Sequence, residues 1–413
     1  MMVNKLTHSL SICIALGVSS SVYAQTEQQK LLPYIIGGDE VAVATEDNFM
    51  ASLRMNKANE SHFCGATVLN DRWLLTAAHC VVAGGGAGAS GLAVAAPSDI
   101  TVTTGLVDNA SANIKDIYSA THVVVHPDYN PLILLQVSTD NGVDLETEII
   151  NTALDNDVAL IRVNRDFDGV GKVTLASTSL AVELDDKLKA EWNEKNLPEN
   201  VKVQGWGVTE AISTSEDEET GEDNSLAYEG DTSDTLLETT LASYPIDKCY
   251  ERFESQDPAG IFIDSPSNTT KLCTLPARKL EGPDLLGPDA CFGDSGGPLL
   301  TKDNNSNWVQ IGIVSGGSAG EPQCGSLTRP TFYARVGTYY DWINESVAVV
   351  PEQAITLPEF LVKEKADAEM NCNDSISANN CNITEDDGGS GGHIGVLSLG
   401  LLGMMTYLRR KKS

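Results

Sequence analysis

Short runs of Val, Ile, Leu and Thr, each closed by turn residues, recur from residue 62 to residue 336 and constrain this chain more than any other feature. They are HFCGATVL (62–69), DITVTTGLV (99–107), HVVVHPDY (122–129), DVALIRV (157–163), VKVQGWG (201–207), WVQIGIVSGG (308–317) and TFYARV (331–336). β-branched residues suit a half-buried pleated surface, and runs of this length bounded by Gly, Asn, Asp or Pro read as strands of an all-β domain. The best helical spacing lies at 179–196 and 336–347, and the second of these closes the domain. With 41% hydrophobic residues in 413 positions, the chain can bury one large core or two.

The first 24 residues carry Lys5, a moderately apolar run and small residues ending at Val22, Tyr23 and Ala24, the pattern of a secretory signal peptide cut after Ala24. Cys13 would leave with it. Eight cysteines remain, at 64, 80, 249, 273, 291, 324, 372 and 381, and an even number in an exported chain implies disulfides whose pairing spacing alone leaves open. No C-x-x-C pair occurs, which argues against a redox site or zinc knuckle. The net charge of −31, from 58 acidic against 27 basic residues, argues against nucleic acid or an anionic lipid surface as main partner. The stretch 209–235 is acidic, without Lys or Arg, and reads as a solvated loop; its acids lack the ligand spacing of a calcium hand.

Residues 346–387 hold Cys372 and Cys381 and read as a disulfide-containing stalk or linker. A glycine-rich hinge follows, then an apolar or small run from His393 to Leu408 and the basic cluster Arg409, Arg410, Lys411 and Lys412. That run of about 16 residues is close to the length of a bilayer helix, with the basic end on the cytoplasmic side. A buried C-terminal helix is the competing reading.

The chemistry centres on DACFGDSGGPLL, Asp289 to Leu300. Ser295 stands between glycines, so its backbone is open to an acyl carbon, and the N–H groups of Gly293 and Ser295 can face a developing oxyanion. LLTAAHC supplies His79 as base, and NDVALIRV supplies Asp157 to orient the imidazole. The same serine also fits G-x-S-x-G, the elbow of α/β-hydrolases, whose acid and histidine follow the nucleophile. After Ser295 the only histidine is His393, so that reading lacks a base.

Residues 35–345 resemble the trypsin/chymotrypsin family of serine proteases. The resemblance rests on IIGG at Ile35, CGATVLNDRWLLTAAHC from Cys64, DNDVALIRV from Asp155, VQGWG from Val203, CFGDSGGPLL from Cys291, IGIVSGG from Ile311 and FYARV ending at Val336. It implies two six-stranded antiparallel β-barrels with the active site between them, His79 and Asp157 from the first and Ser295 from the second. It further implies disulfides Cys64 to Cys80, Cys249 to Cys273 and Cys291 to Cys324, which leaves Cys372 and Cys381 for each other. No cofactor is implied. GGGAGASGLAVAAP, after Cys80, has no carboxylate, so no calcium or other metal is expected there.

By the same resemblance Asp289 is the acid at the floor of the primary pocket, with Ala290, Ser315, Gly316, Gly317 and Thr331 around it, implying cleavage after Arg or Lys. Gly316 stands where an indole wall is usual, and Thr331 where a glycine is usual. A pocket preferring small or apolar residues is therefore the alternative, and a non-catalytic protease-like binding protein is a further one. Residues 25–34 read as a propeptide: Ile35 becomes the new N-terminus, and its ammonium pairs with Asp294. Cleavage after Tyr34 does not suit a trypsin-like enzyme, so a different activating protease is expected. The tail, 388–413, resembles the GlyGly-CTERM sorting signal of Gram-negative bacteria. That resemblance implies export across the inner membrane, trimming by a rhomboid-type protease, and type II secretion to the cell surface or medium. Protein or peptide substrates and a monomeric, transiently membrane-associated chain complete the expectations.

Overall fold

The computed structural model describes residues 35–41, 48–55, 61–84, 90–131, 134–140, 144–209, 232–256, 262–280, 286–317 and 322–374, with backbone alone at 134–140, 144–151, 254–256 and 368–374. The seven runs join five further strands in two closed, six-stranded antiparallel barrels. The first contains β1 (Met50–Met55), β2 (His62–Val68), β3 (Trp73–Thr76), β4 (Ile100–Thr104), β5 (Ile117–Val125) and β6 (Ala159–Val163), in the order β6-β3-β2-β1-β4-β5, with β5 returning to β6. The second contains β7 (Val201–Gly205), β8 (Leu237–Tyr244), β9 (Lys271–Pro276), β10 (Pro298–Lys302), β11 (Trp308–Gly317) and β12 (Thr331–Arg335), ordered β8-β7-β10-β11-β12-β9, with β9 returning to β8. Closure pairs the first strand of each barrel with its last and seals an apolar interior. Leu53, Ala66, Val102, Val125 and Ile161 fill the first, and Val201, Val203, Leu241, Leu299 and Ile311 the second.

Helix α1 (Thr178–Glu191) joins the barrels. Ser177 caps it by accepting from the Leu180 N–H at 3.3 Å, and Ala181, Leu184 and Leu188, spaced on one face, are buried. It stops short of the expected 179–196 because Trp192 turns extended and packs on Tyr244, with ring centroids 5.0 Å apart. α2 (Ile246–Gln256) is fastened to β9 by the Cys249–Cys273 disulfide. α3 (Val336–Ala348) follows β12 directly and is held to α1 by the ion pair of Arg335 with Asp185, 2.7 Å.

The chain beyond α3 behaves differently from the stalk expected over 346–387. Residues 355–356 form a strand parallel to β5, with the Val123 N–H donating to the Ala354 carbonyl at 2.8 Å. α4 (Glu359–Asp374) then lays Phe360 and Leu361 on the first core, and Glu364 accepts from the N–H and hydroxyl of Ser90 at 3.1 and 2.8 Å. Residues 351–367 are thus part of the first barrel's outer layer, because their apolar side chains find a sheet edge and a core flank to cover. Among the described residues no helix is long and apolar enough to cross a membrane. The tail 388–413, Cys381, the Cys372 side chain, Tyr34 and most of the acidic stretch lie outside the described residues.

Candidate active site

Two covalent and hydrogen-bonded ties bring the separate sequence motifs to one cleft. Cys64 in β2 is disulfide-bonded to Cys80, next to His79. The adjacent Gly65 N–H donates to the Ser295 carbonyl at 2.7 Å, so the serine turn of the second barrel lies against the strand that anchors the histidine. The remaining described disulfide, Cys291–Cys324, ties the start of that turn to the loop before β12.

Asp157 is 1% exposed, and the donors that hold it all come from this cleft. One carboxylate oxygen accepts from the His79 backbone N–H at 2.8 Å; the other lies 2.7 Å from His79 Nδ1 and accepts from the Ser315 hydroxyl at 2.6 Å. An ionised carboxylate only accepts, so Nδ1 carries a hydrogen and Nε2 of neutral His79 is left as the proton acceptor. Ser315, expected as pocket lining, instead steadies the acid from the second barrel. Such a group can take a proton from a hydroxyl and stabilise the imidazolium that results.

Ser295 sits in a turn that only glycine can complete on both sides. Gly293 and Gly296 have φ of +94° and +80°, and a Cβ on Gly296 would stand 2.2 Å from Thr76 Oγ1 and 2.4 Å from the Gly65 carbonyl. Among the described residues neither the Gly293 nor the Ser295 N–H is given to another group, so both remain available to an oxyanion. The peptide that follows Gly293 is fixed by a residue the sequence reading passed over. His62 lies 2.8 Å from the Gly293 carbonyl through Nε2 and 2.8 Å from Ser52 Oγ through Nδ1. Burial pulls its pKa down to about 4, so the ring is neutral; Nε2–H donates to the carbonyl, and Nδ1 accepts from the serine hydroxyl. The signal lay in HFC, a histidine in a strand two residues before the Cys64 anchor.

Asp289 is 2% exposed. It accepts from the Ala290 N–H at 2.9 Å, the Gly325 N–H at 3.1 Å, and the Thr331 hydroxyl at 3.1 and 2.9 Å from its two oxygens. None of these donors is charged, and burial raises its pKa to about 7. The missing wall at Gly316 is filled from behind: a Cβ there would meet Phe332 Cζ at 2.8 Å and Leu154 Cδ1 at 3.3 Å. Gly317 is roomier, its nearest neighbour being the Gln323 carbonyl at 3.9 Å.

Ile35 is wholly buried in the second core, among residues that include Val203, Ala290 and Tyr333, and the Ile36 carbonyl accepts from the Asp289 N–H at 3.1 Å. Asp294 is also fully buried and accepts from the Gly207 and Cys291 N–H groups, both at 2.8 Å. Burial raises its pKa to about 7, and among the described residues no cation faces it.

A family model described as Trypsin matches residues 35–343. CLIP domain-containing serine protease B4 of Anopheles gambiae is 27% identical over 320 residues, covering 77% of this chain and 71% of that protein. Melanization protease 1 of Drosophila melanogaster is 28% identical over 323 residues, covering 76% and 65%. Ovochymase of Halocynthia roretzi is 25% identical over 315 residues, covering 75% of this chain but 15% of its own. The chain thus spans less than two thirds of the latter two proteins.

Proposed function

Because the chain belongs to the trypsin family of serine proteases, we propose that it is an endopeptidase working through an acyl-enzyme on Ser295. The observation that carries this reading is the buried Asp157, whose oxygens take His79 N–H, Nδ1–H and the Ser315 hydroxyl while leaving Nε2 as base. In this mechanism Ser295 Oγ attacks the peptide carbonyl as His79 takes its proton. The N–H groups of Gly293 and Ser295 hold the oxyanion, and His62 pins the Gly293 carbonyl, on the far side of that residue from its N–H. His79 then protonates the leaving amine, and water repeats the sequence on the acyl-enzyme.

Cleavage after Arg or Lys is proposed on the chemistry of Asp289. A buried carboxylate held by neutral donors alone lacks a counter-charge that a substrate guanidinium or ammonium supplies. Thr331 favours the second reading, a small or apolar residue before the cut, because its hydroxyl already engages both oxygens and must swing aside for a cation. The two are separated by the ratio of kcat/KM for an Arg substrate to that for a neutral one, which cancels whatever the two reactions share. Only ionised Asp289 attracts the cation, and its pKa is raised to about 7. The ratio is therefore expected to climb about tenfold per pH unit below that value and level off above it. Thr331→Gly removes a competing hydrogen bond and should lift the plateau by roughly fivefold, the equivalent of about 1 kcal/mol. A ratio below one across the whole pH range supports the second reading.

Activation and export are proposed from the sequence, and the burial of Ile35 and Asp294 supports the first. Asp294 is a buried acid that no cation faces among the described residues, in the same barrel as buried Ile35, which suits an ammonium freed at Ile35 by cleavage after Tyr34. N-terminal sequencing of active protein should begin at Ile35. Efficient self-processing at Tyr34, abolished by Ser295→Ala, would refute the proposed separate activating protease. The signal peptide and the 388–413 tail support export, with a rhomboid-type protease and the type II system as partners.

A further inference from the structure

Lys271 opens β9 and is 2% exposed. A buried ammonium is tolerated only when its donors are all satisfied, and this one gives its three to the Thr152 hydroxyl at 3.1 Å, the Ala153 carbonyl at 2.8 Å and the Phe262 carbonyl at 2.6 Å. It also lies 5.1 Å from the centre of the Phe332 ring. Burial lowers its pKa to about 8, opposed by the fields of Asp155, Asp157 and Asp264, so it is charged at neutral pH.

Two of the three acceptors belong to the segment just ahead of Asp157, which comes from the other barrel. That segment is conformationally demanding. Leu154 and Asn156 have φ of +51° and +52°; asparagine enters this left-handed region readily, whereas leucine does so only when its surroundings compel it. The later part is held by reciprocal backbone hydrogen bonds between Asp155 and Asn130, at 2.9 and 3.0 Å, and by the Tyr339 hydroxyl donating to Asn156 at 3.1 Å. The earlier part, Thr152 and Ala153, is where Lys271 takes hold. Between the two stands Leu154, which together with Phe332 fills the space beside Gly316. One ammonium therefore touches the segment carrying Leu154 and the face of Phe332, both sides of the cleft wall.

We propose that Lys271 is a positioning residue that acts across the barrels, holding the Thr152–Asn156 segment so that Asp157 meets His79 and Leu154 completes the cleft wall. The proposal rests on the protease reading above. Its test is Lys271→Met, similar in length and uncharged, with each rate divided by the concentration of sites titrated by a serine-directed phosphonate. Per titrated site, kcat on a peptide amide is expected to fall about 10- to 100-fold, since a displacement of about 1 Å can cost 10²-fold. KM should rise for a tetrapeptide substrate that reaches the wall and stay within twofold for a single-residue substrate. A role in stability alone would lower the number of titratable sites and leave kcat per site intact. Thr152→Val removes one acceptor and keeps the ammonium; a several-fold loss of kcat per site is expected, and this variant decides the matter if Lys271→Met does not fold. Unchanged kcat per site in whichever variants fold overturns the proposal. Wild-type protein that is not labelled at Ser295 counts against the protease reading instead.

Discussion

Replacing Ser295 with alanine is expected to lower kcat on a peptide amide by about 10⁶, and adding His79→Ala should lower it little further. Residues that act as one unit fail as one unit: without the nucleophile the base has no proton to take, and without the base the hydroxyl is a poor nucleophile. The residual activity would come from binding and from the Gly293 and Ser295 N–H groups, which neither substitution removes. Steady-state kinetics on both single variants and the double variant check this. Losses that multiply would mean that His79 and Ser295 act independently, against the arrangement in which Asp157 leaves Nε2 as the serine's base.

The second large effect is at Asp157. Asp157→Asn keeps the shape of the side chain but turns one acceptor into a donor. With its amide NH₂ facing His79 Nδ1, the ring would have to carry its hydrogen on Nε2, the position from which it must accept. A loss of about 10⁴ in kcat is expected, the magnitude of this change in the Ser-His-Asp template. Ser315 distinguishes this tautomer effect from simple loosening. Its hydroxyl can rotate to accept as well as donate, so it adapts to the asparagine, and His79 should keep its place while losing its function. Thermal unfolding near the wild-type temperature together with the kinetic loss is the expected pairing. An Asp157→Asn enzyme within tenfold of wild type would remove Asp157 from the mechanism.

Much of this architecture was legible because it is written in local patterns. Strands such as ALIRV at 159–163 and VKVQG at 201–205 announce themselves by β-branched content, and Gly293 and Gly296 announce a turn that a side chain cannot enter. α2 was legible too: Ile246, Cys249, Tyr250 and Phe253 recur at helical spacing, yet the segment drew no attention beside the longer pattern of α1. Other features depend on partners far away in the chain. His62 reads as one more strand residue until its ring meets the Gly293 carbonyl, 231 positions on. Lys271 reads as a solvated charge at a strand start, because nothing nearby reveals that Thr152 and Ala153 will receive its ammonium. Residues 351–367 read as part of a linker because 346–387 is short for a second domain, and the sheet edge that recruits Ile355 is formed by β5 of the first barrel.

The same contrast bears on specificity. Asp289 can be found from its place before the serine, whereas the bonds from Thr331 to both of its oxygens require the fold. Under the proposed Arg or Lys specificity, a substrate cation would have to displace the Thr331 hydroxyl from Asp289. Selectivity should therefore shift with pH.

Labelling with an active-site-directed fluorophosphonate, followed by peptide mapping, tests the assignment of Ser295 as nucleophile most directly. One label per chain on Ser295 is expected in protein processed to Ile35, none in Ser295→Ala, and labelling slowed by several orders of magnitude in His79→Ala. Processed protein that takes up no label, or a label that persists in Ser295→Ala, would contradict it.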